Sequence, residues 1–257
     1  MNSYTEPQFA FNRARLTWGV QRLIFINIIV FAVQLLVDIP FGDPVAVYGG
    51  FAPPGGFISR LLAFQPGLLF YGMLWKPFTY QFLHGGLMHL FMNMLWLFFF
   101  GPDVERMLGT RQFLRFYVVS GAVAVLATLL PWAAFGQQVS VTGASGAVMA
   151  VLVAFVMRNP DRQFFLFPLP FPINARALML IVIVMNIFAA LSRGGTTSVA
   201  THFGGMAVGF LYMRYMPRAR RWMIEQRRKK HAGEGDVDSL REMVDNIFKF
   251  DDWKKRR

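Results

Sequence analysis

Apolar residues run through this chain in long, nearly unbroken blocks separated by short polar stretches. That is neither the alternation of a half-buried strand nor the three-to-four spacing of a surface helix. A hydrocarbon core ~30 Å thick takes about 20 apolar residues as a helix. Six blocks are read as such spans, over residues 20–39, 83–101, 113–133, 144–157, 177–192 and 199–216. The fourth is short by that standard. The first lies too deep in the chain, and is too poorly followed by small residues, to be a cleaved leader. The pattern predicts an all-α integral membrane protein, a bundle of six transmembrane helices. Residues 102–112 and 158–175 read as turns marked by Pro, Gly and Asn. Residues 40–82 form a long first outer loop, in which the apolar piece from Ile58 to Leu69 is expected to lie in the interface. Trp75, Phe78 and Tyr80 are its expected aromatic anchors.

Composition sharpens this picture. Of 257 residues 55% are hydrophobic and 16% charged, where a soluble domain carries about 25% charged residues. The charge is concentrated at one end. Residues 217–257 hold 13 Lys/Arg and 8 Asp/Glu, against 13 and 6 in the 216 residues before them. The expected organisation is a cytoplasmic N-terminal segment at 1–19, a six-helix domain at 20–216 and a basic cytoplasmic tail at 217–257. In a soluble protein a net charge of +12 would suggest nucleic acid. Here the basic residues flank apolar spans, which is the signature of membrane topology, so the expected partner is the bilayer and not nucleic acid. One side of the spans carries Arg13, Arg15, Arg22, Arg106, Arg111, Arg115, Arg158, Arg162 and Arg176. The other carries Arg60, Lys76 and Arg193. Both termini are therefore expected in the cytoplasm, in a cell inner (plasma) membrane and in a prokaryotic setting. There is no cysteine, which excludes disulfides, thiolate metal sites and a cysteine nucleophile. No metal or cofactor is expected.

Polar side chains in hydrocarbon cost a few kcal/mol each, so an ionisable or amide residue inside a span is a candidate for function. The candidates are His84, His89 and Asn93 in the second span, Ser145 opening the fourth, Asn186 in the fifth and His202 in the sixth. A helix rises about 1.5 Å per residue, which puts Ser145, His89 and His202 all roughly 18–20 Å above the cytoplasmic border. They share one level, about 10 Å below the outer surface. A helix that starts at that depth explains the short fourth span. Its N-terminus points unpaired N–H groups and a positive dipole end into the protein, and favours a developing negative charge. Irregular backbone there must be buried, so residues 134–143 are expected to descend inside the bundle.

Gly143-Ala144-Ser145-Gly146 alone reads more readily as a small-residue helix contact than as a site. Gly205 and Gly209, like Gly146, carry that packing reading too, and Gly205 and Gly209 would let the sixth span touch the fourth, bringing His202 toward Ser145. A serine hydroxyl becomes a nucleophile when a histidine within reach takes its proton. The second to sixth spans hold no acidic residue at that depth, so the expected arrangement is a Ser145–His202 dyad with the imidazole oriented by packing and neutral contacts. His89, Asn93 and the N–H of Ser145 are the candidate oxyanion donors. Gly143 joins that group because a glycine there lets the backbone close on a reacting carbonyl.

These residues fall in a recognisable order. Trp75-Lys76-Pro77-Phe78-Thr79 precedes His84-Gly85-Gly86-Leu87-Met88-His89-Leu90-Phe91-Met92-Asn93, then come Gly143-Ala144-Ser145-Gly146 and His202-Phe203-Gly204-Gly205 with Gly209. Over residues 20–216 the chain resembles the rhomboid intramembrane serine proteases. The resemblance implies a serine endopeptidase, with Ser145 as nucleophile, His202 as base and oxyanion donors from His89, Asn93 and the Ser145 backbone. It implies a structural or water-positioning part for His84, a mobile fifth helix, an outer cap near 193–198, and single-span membrane proteins as substrates. Lys76 stands where the family often has Arg, and lysine lacks the bidentate fork of Arg. Glu105-Arg106 is a compressed form of the family's Glu/Arg motif. The alternatives are a catalytically inactive rhomboid-like binding factor and a small-molecule transporter. The former would lack Ser or His, and the latter would want ion-coupling charges at mid-membrane. In the tail, Val237, Leu240, Val244, Ile247 and Phe248 share one face of an expected short amphipathic helix.

Overall fold

A computed structural model describes residues 16–41, 56–136, 140–164, 171–191 and 196–231. The chain divides into two compact units, residues 1–211 and 212–257. In chain order the helices are α1 (Trp18–Phe41), α2 (Phe57–Leu62), α3 (Lys76–Thr79), α4 (Leu87–Leu108), α5 (Thr110–Leu126), α6 (Leu129–Phe135), α7 (Ser145–Arg158), α8 (Ala175–Leu191) and α9 (Thr196–His231). Among the described residues three stretches, Trp18–Asp38, Leu87–Leu108 and Thr110–Phe135, are long and apolar enough to cross a membrane, and α7 and α8 are shorter apolar helices. The fold is a helical membrane bundle.

The first unit is built around α7. Ten consecutive residues, Gly146 to Phe155, are buried, as a helix apolar on every side must be. Helices α4, α5 and α8 pack on it, and α1 packs on α4. With 14 residues α7 is about 21 Å long, too short to cross the ~30 Å core. It therefore begins within the bundle, at Ser145.

Of the expected descent at 134–143, residues 134–136 are exposed at the end of α6 and do not run inside the bundle, while 140–143 are paired with protein. Val141 exchanges backbone bonds with Phe64 in the outer loop, at 2.7 and 3.0 Å, and Gly143 N–H donates to the Tyr80 carbonyl at 3.1 Å. The outer loop is pinned in turn from inside. Lys76 is buried, with its Nζ donating to the carbonyls of Arg60 at 2.6 Å and Ala63 at 3.0 Å. Two carbonyls thus take the place of a bidentate partner, and burial pushes the Lys76 ammonium below the ordinary lysine value.

Glu105 of α4 holds the start of α1. Its carboxylate accepts from the Thr17 hydroxyl, the N–H groups of Gly19 and Val20 at 2.9 Å each, and the Thr110 hydroxyl at 2.7 Å. An anion on the first N–H groups of a helix satisfies orphan donors and complements the dipole. The short spacing of Glu105-Arg106 is accounted for, since the glutamate works through N–H and hydroxyl donors and Arg106 turns to Asp103 at 3.1 Å.

Four sequence expectations are corrected. Pro102 does not open a turn: α4 runs through it to Leu108, and the reversal comes at Gly109, φ +78°. The third span is interrupted, because Thr128 folds its hydroxyl back onto the Val125 carbonyl at 2.7 Å between α5 and α6. Residues 158–175 are not all turn, since Gln163–Phe164 (β1) pairs antiparallel with Ile173–Asn174 (β2). Tyr80 is no interfacial anchor. It is completely buried, whereas Trp75 and Phe78 are about half exposed. The sixth span, expected to end at 216, lies in a helix that continues to His231. The expected helix over 237–250 and residues 193–195 of the expected cap near 193–198 fall outside the described residues, while 196–198 open α9.

Candidate active site

Ser145 is the first residue of α7 and is half-buried. The element that meets it is α9, and glycine sets how closely. A Cβ on Gly205 would lie 2.1 Å from the Gly146 carbonyl oxygen, and one on Gly209 2.6 Å from that of Ala150. Gly146 in turn faces the Thr201 methyl, 2.9 Å from its own would-be Cβ. The residues on either side of His202 along α9, Thr201 and Gly205, therefore rest on the residue that follows Ser145. No other residue type permits this approach.

His89 enters from α4. A Cβ on Gly143 would lie 2.5 Å from His89 Cε1 and 2.7 Å from Nε2, and Gly143 sits at φ +119°. Both the space and the conformation demand glycine. The Gly143 N–H is committed to Tyr80, so Gly143 contributes room for His89 and not a free oxyanion donor. Gly85 N–H makes a long contact to His89 Nδ1, 3.4 Å. That contact leaves the ring proton on Nε2, the nitrogen facing Gly143. Asn93, one turn on, is buried and donates one Nδ2 proton to the His89 carbonyl at 3.0 Å. His84 is completely buried. It stands edge-on to His89 with ring centroids 5.2 Å apart, and to Phe31 of α1 at 6.5 Å.

The rhomboid domain family matches residues 71–219, more than half of the chain. The chain belongs to the rhomboid family. Among its relatives is the mitochondrial rhomboid protein 1 of Saccharomyces cerevisiae, 33% identical over 153 residues, which are 58% of this chain and 42% of that protein. The mitochondrial presenilin-associated rhomboid-like protein of Bos taurus is 29% identical over 135 residues, 52% of this chain and 36% of that one. The rhomboid protease GlpG of Pectobacterium atrosepticum is 30% identical over 142 residues, 54% and 47%. In each case the match spans less than half of the relative's length. The expectation of a prokaryotic setting runs against this set, in which mitochondrial proteins stand beside a bacterial one.

Several residues that support the site of this rhomboid escaped the sequence reading. Gln34 of α1 clamps the backbone of His84 from both sides, accepting its N–H and donating to its carbonyl, each at 3.1 Å. It also donates to Ser59 Oγ at 3.3 Å, and Ser59 donates to Asp38 at 2.6 Å. Gln34 and Asp38 lie four apart in an apolar block, a one-face spacing that flags them in retrospect. Tyr80 donates its hydroxyl to the Gly121 carbonyl of α5 at 2.7 Å, and its oxygen would be 3.1 Å from a Cβ on Gly146. Asn186 of α8, present among the polar candidates but given no role, lies 2.6 Å from His202, Oδ1 to Nδ1.

Proposed function

We propose that this rhomboid is an active intramembrane serine endopeptidase that cuts single-span membrane proteins near the outer end of their span. The observation that carries the reading is the backbone-to-backbone contact of α9 on the first turn of α7, with Gly205 against the Gly146 carbonyl. It supports His202 and Ser145 as partners, in a place where irregular backbone is paired with protein and not exposed to lipid. Ser145 Oγ attacks the scissile carbonyl carbon while its proton passes to His202. The C–N bond then breaks and the same proton leaves with the amine, after which a water molecule hydrolyses the acyl-serine by the reverse relay. The N–H of Ser145, at the positive end of α7, holds the oxyanion together with His89 Nε2–H and the second Nδ2 proton of Asn93. His84 serves by packing, as the wedge that sets the His89 ring. Gly146, Gly205 and Gly209 serve by letting the two helices close.

The excess of arginine on one side of the spans supports cytoplasmic termini in a cell inner membrane. The site then opens toward the outer face, and the partners are the bilayer and its single-span proteins. The test is cleavage of a purified single-span reporter in proteoliposomes. Wild type should cut it, and Ser145→Ala and His202→Ala should each lose cleavage while their thermal unfolding stays unchanged. Cleavage by Ser145→Ala would remove Ser145 as nucleophile. A wild-type protein that binds the reporter without cutting it would favour the inactive binding factor.

A further inference from the structure

We propose that Asn186 is a positioning residue for the base. By holding the Nδ1–H of His202 it fixes the tautomer whose Nε2 is free to take a proton. The inference rests on the Ser145–His202 reading and adds a third residue, from α8, to it.

The argument runs through the direction of each hydrogen bond. Asn186 is 8% exposed in an apolar helix, where an amide without partners costs a few kcal/mol. Its Nδ2 lies 2.8 Å from the Val182 carbonyl one turn back. A carbonyl can only accept, so the nitrogen of the amide must face it, and this settles which way the amide is turned. Oδ1 then faces His202 Nδ1 at 2.6 Å. Oδ1 can likewise only accept, so Nδ1 must carry the proton. In a neutral imidazole the lone pair is then on Nε2, the nitrogen a serine hydroxyl needs. Without the acceptor, the ring is free to hold its proton on either nitrogen and to rotate about χ2. Half-way through the reaction the ring becomes a cation, and a short bond to an amide oxygen stabilises that charge.

The helix supplying this acceptor is held lightly. The buried residues of α8 are Ala175, Leu178, Val182 and Asn186, a single stripe along one face. Asn186 also lines a cleft of about 260 Å³ between α4, α7 and α8, beside Trp96, Met149 and Met185. The orientation of the base thus depends on a helix that lies against the cleft and not on the helix that carries His202.

The experiment uses the full chain in proteoliposomes with the same single-span reporter, and compares Asn186→Leu with Asn186→Asp. Leucine keeps the volume and removes the acceptor, while aspartate keeps an acceptor oxygen at the same reach. Asn186→Leu should lower kcat about 10- to 100-fold, the cost of one hydrogen bond to a group that becomes charged in the transition state, with KM unchanged. It should slow phosphonate labelling of Ser145 by a similar factor, and the ¹⁵N spectrum of His202 should change from a single Nδ1–H tautomer to a mixture. Asn186→Asp should restore most of kcat. Wild-type kcat in Asn186→Leu would overturn the proposal. So would a loss confined to KM, an equal loss in both variants, or a His202 tautomer unchanged by leucine. Cleavage by Ser145→Ala, run alongside, reports separately on the reading beneath it.

Discussion

An amide or hydroxyl buried in a helix bundle finds its hydrogen bonds inside the protein, and here Gln34 and Tyr80 use theirs to tie neighbouring elements together beside the candidate site. Tyr80 joins the outer loop to α5 through its hydroxyl, and to the descent before α7 through its carbonyl. Replacing it with Phe removes the second donor to the Gly121 carbonyl, which keeps its bond within α5, and should destabilise the protein by about 0.5–1.5 kcal/mol. Unfolding in detergent measures this, and an unchanged midpoint would mean that water or another donor takes over. Asn93 makes a different prediction. A donor aimed at a charge that exists only in the transition state affects the chemical step, and one oxyanion donor is worth about 10²–10³ in rate. Asn93→Ala should therefore lower kcat by that order with little change in KM. An effect wholly in KM would reassign Asn93 to substrate binding.

At the scale of elements, the contact of α9 on α7 is the one that tolerates no side chain. Gly205→Leu would drive a Cβ to within 2.1 Å of the Gly146 oxygen, and backbone cannot yield as a flexible side chain can. The helices must separate by an ångström or more, and misplacement of that size costs on the order of 10² in rate. Cleavage of the single-span reporter should fall at least that far, and a rate near wild type would contradict the contact. Much of this level was legible beforehand. The short fourth block marked α7 to within a residue at each end, because length alone separates a spanning helix from one that starts inside. The Gly205–Gly209 spacing marked the face α9 turns to α7. What was not legible has physical reasons. A proline is expected to end a helix, yet Pro102 sits within α4 because the bundle around it can absorb a missing N–H. The ribbon of β1 and β2 has no alternation to betray it. Phe164 instead joins a cluster with Phe100 and Phe155, centroids 5.5 and 5.7 Å away. Tyr80 reads as an interface anchor, and Gln34 on its own stands out in no way, because their partners are backbone carbonyls and N–H groups, which carry no mark in a sequence.

At the scale of the molecule, the account joins a buried helix start to a membrane. The candidate dyad lies about 10 Å below one surface by helix rise, and a peptide bond inside an intact substrate helix is shielded by its own hydrogen bond. Cleavage is therefore expected near the outer end of a substrate span, after a small residue. That size limit is what the family resemblance implies. Helix-breaking residues just inside the span should raise the rate by lowering the cost of unwinding. Mass spectrometry of the products locates the cut, and a scissile bond in the cytoplasmic half would contradict the orientation drawn from the arginines. The central claim is more direct than any of these, namely that Ser145 is a nucleophile made reactive by His202. Intact-mass and peptide mapping of the purified protein after reaction with a fluorophosphonate addresses it in one measurement. The account predicts a single adduct on Ser145, formed far more slowly in His202→Ala and not at all in Ser145→Ala. An adduct on a different serine, or one formed equally fast without His202, would contradict it.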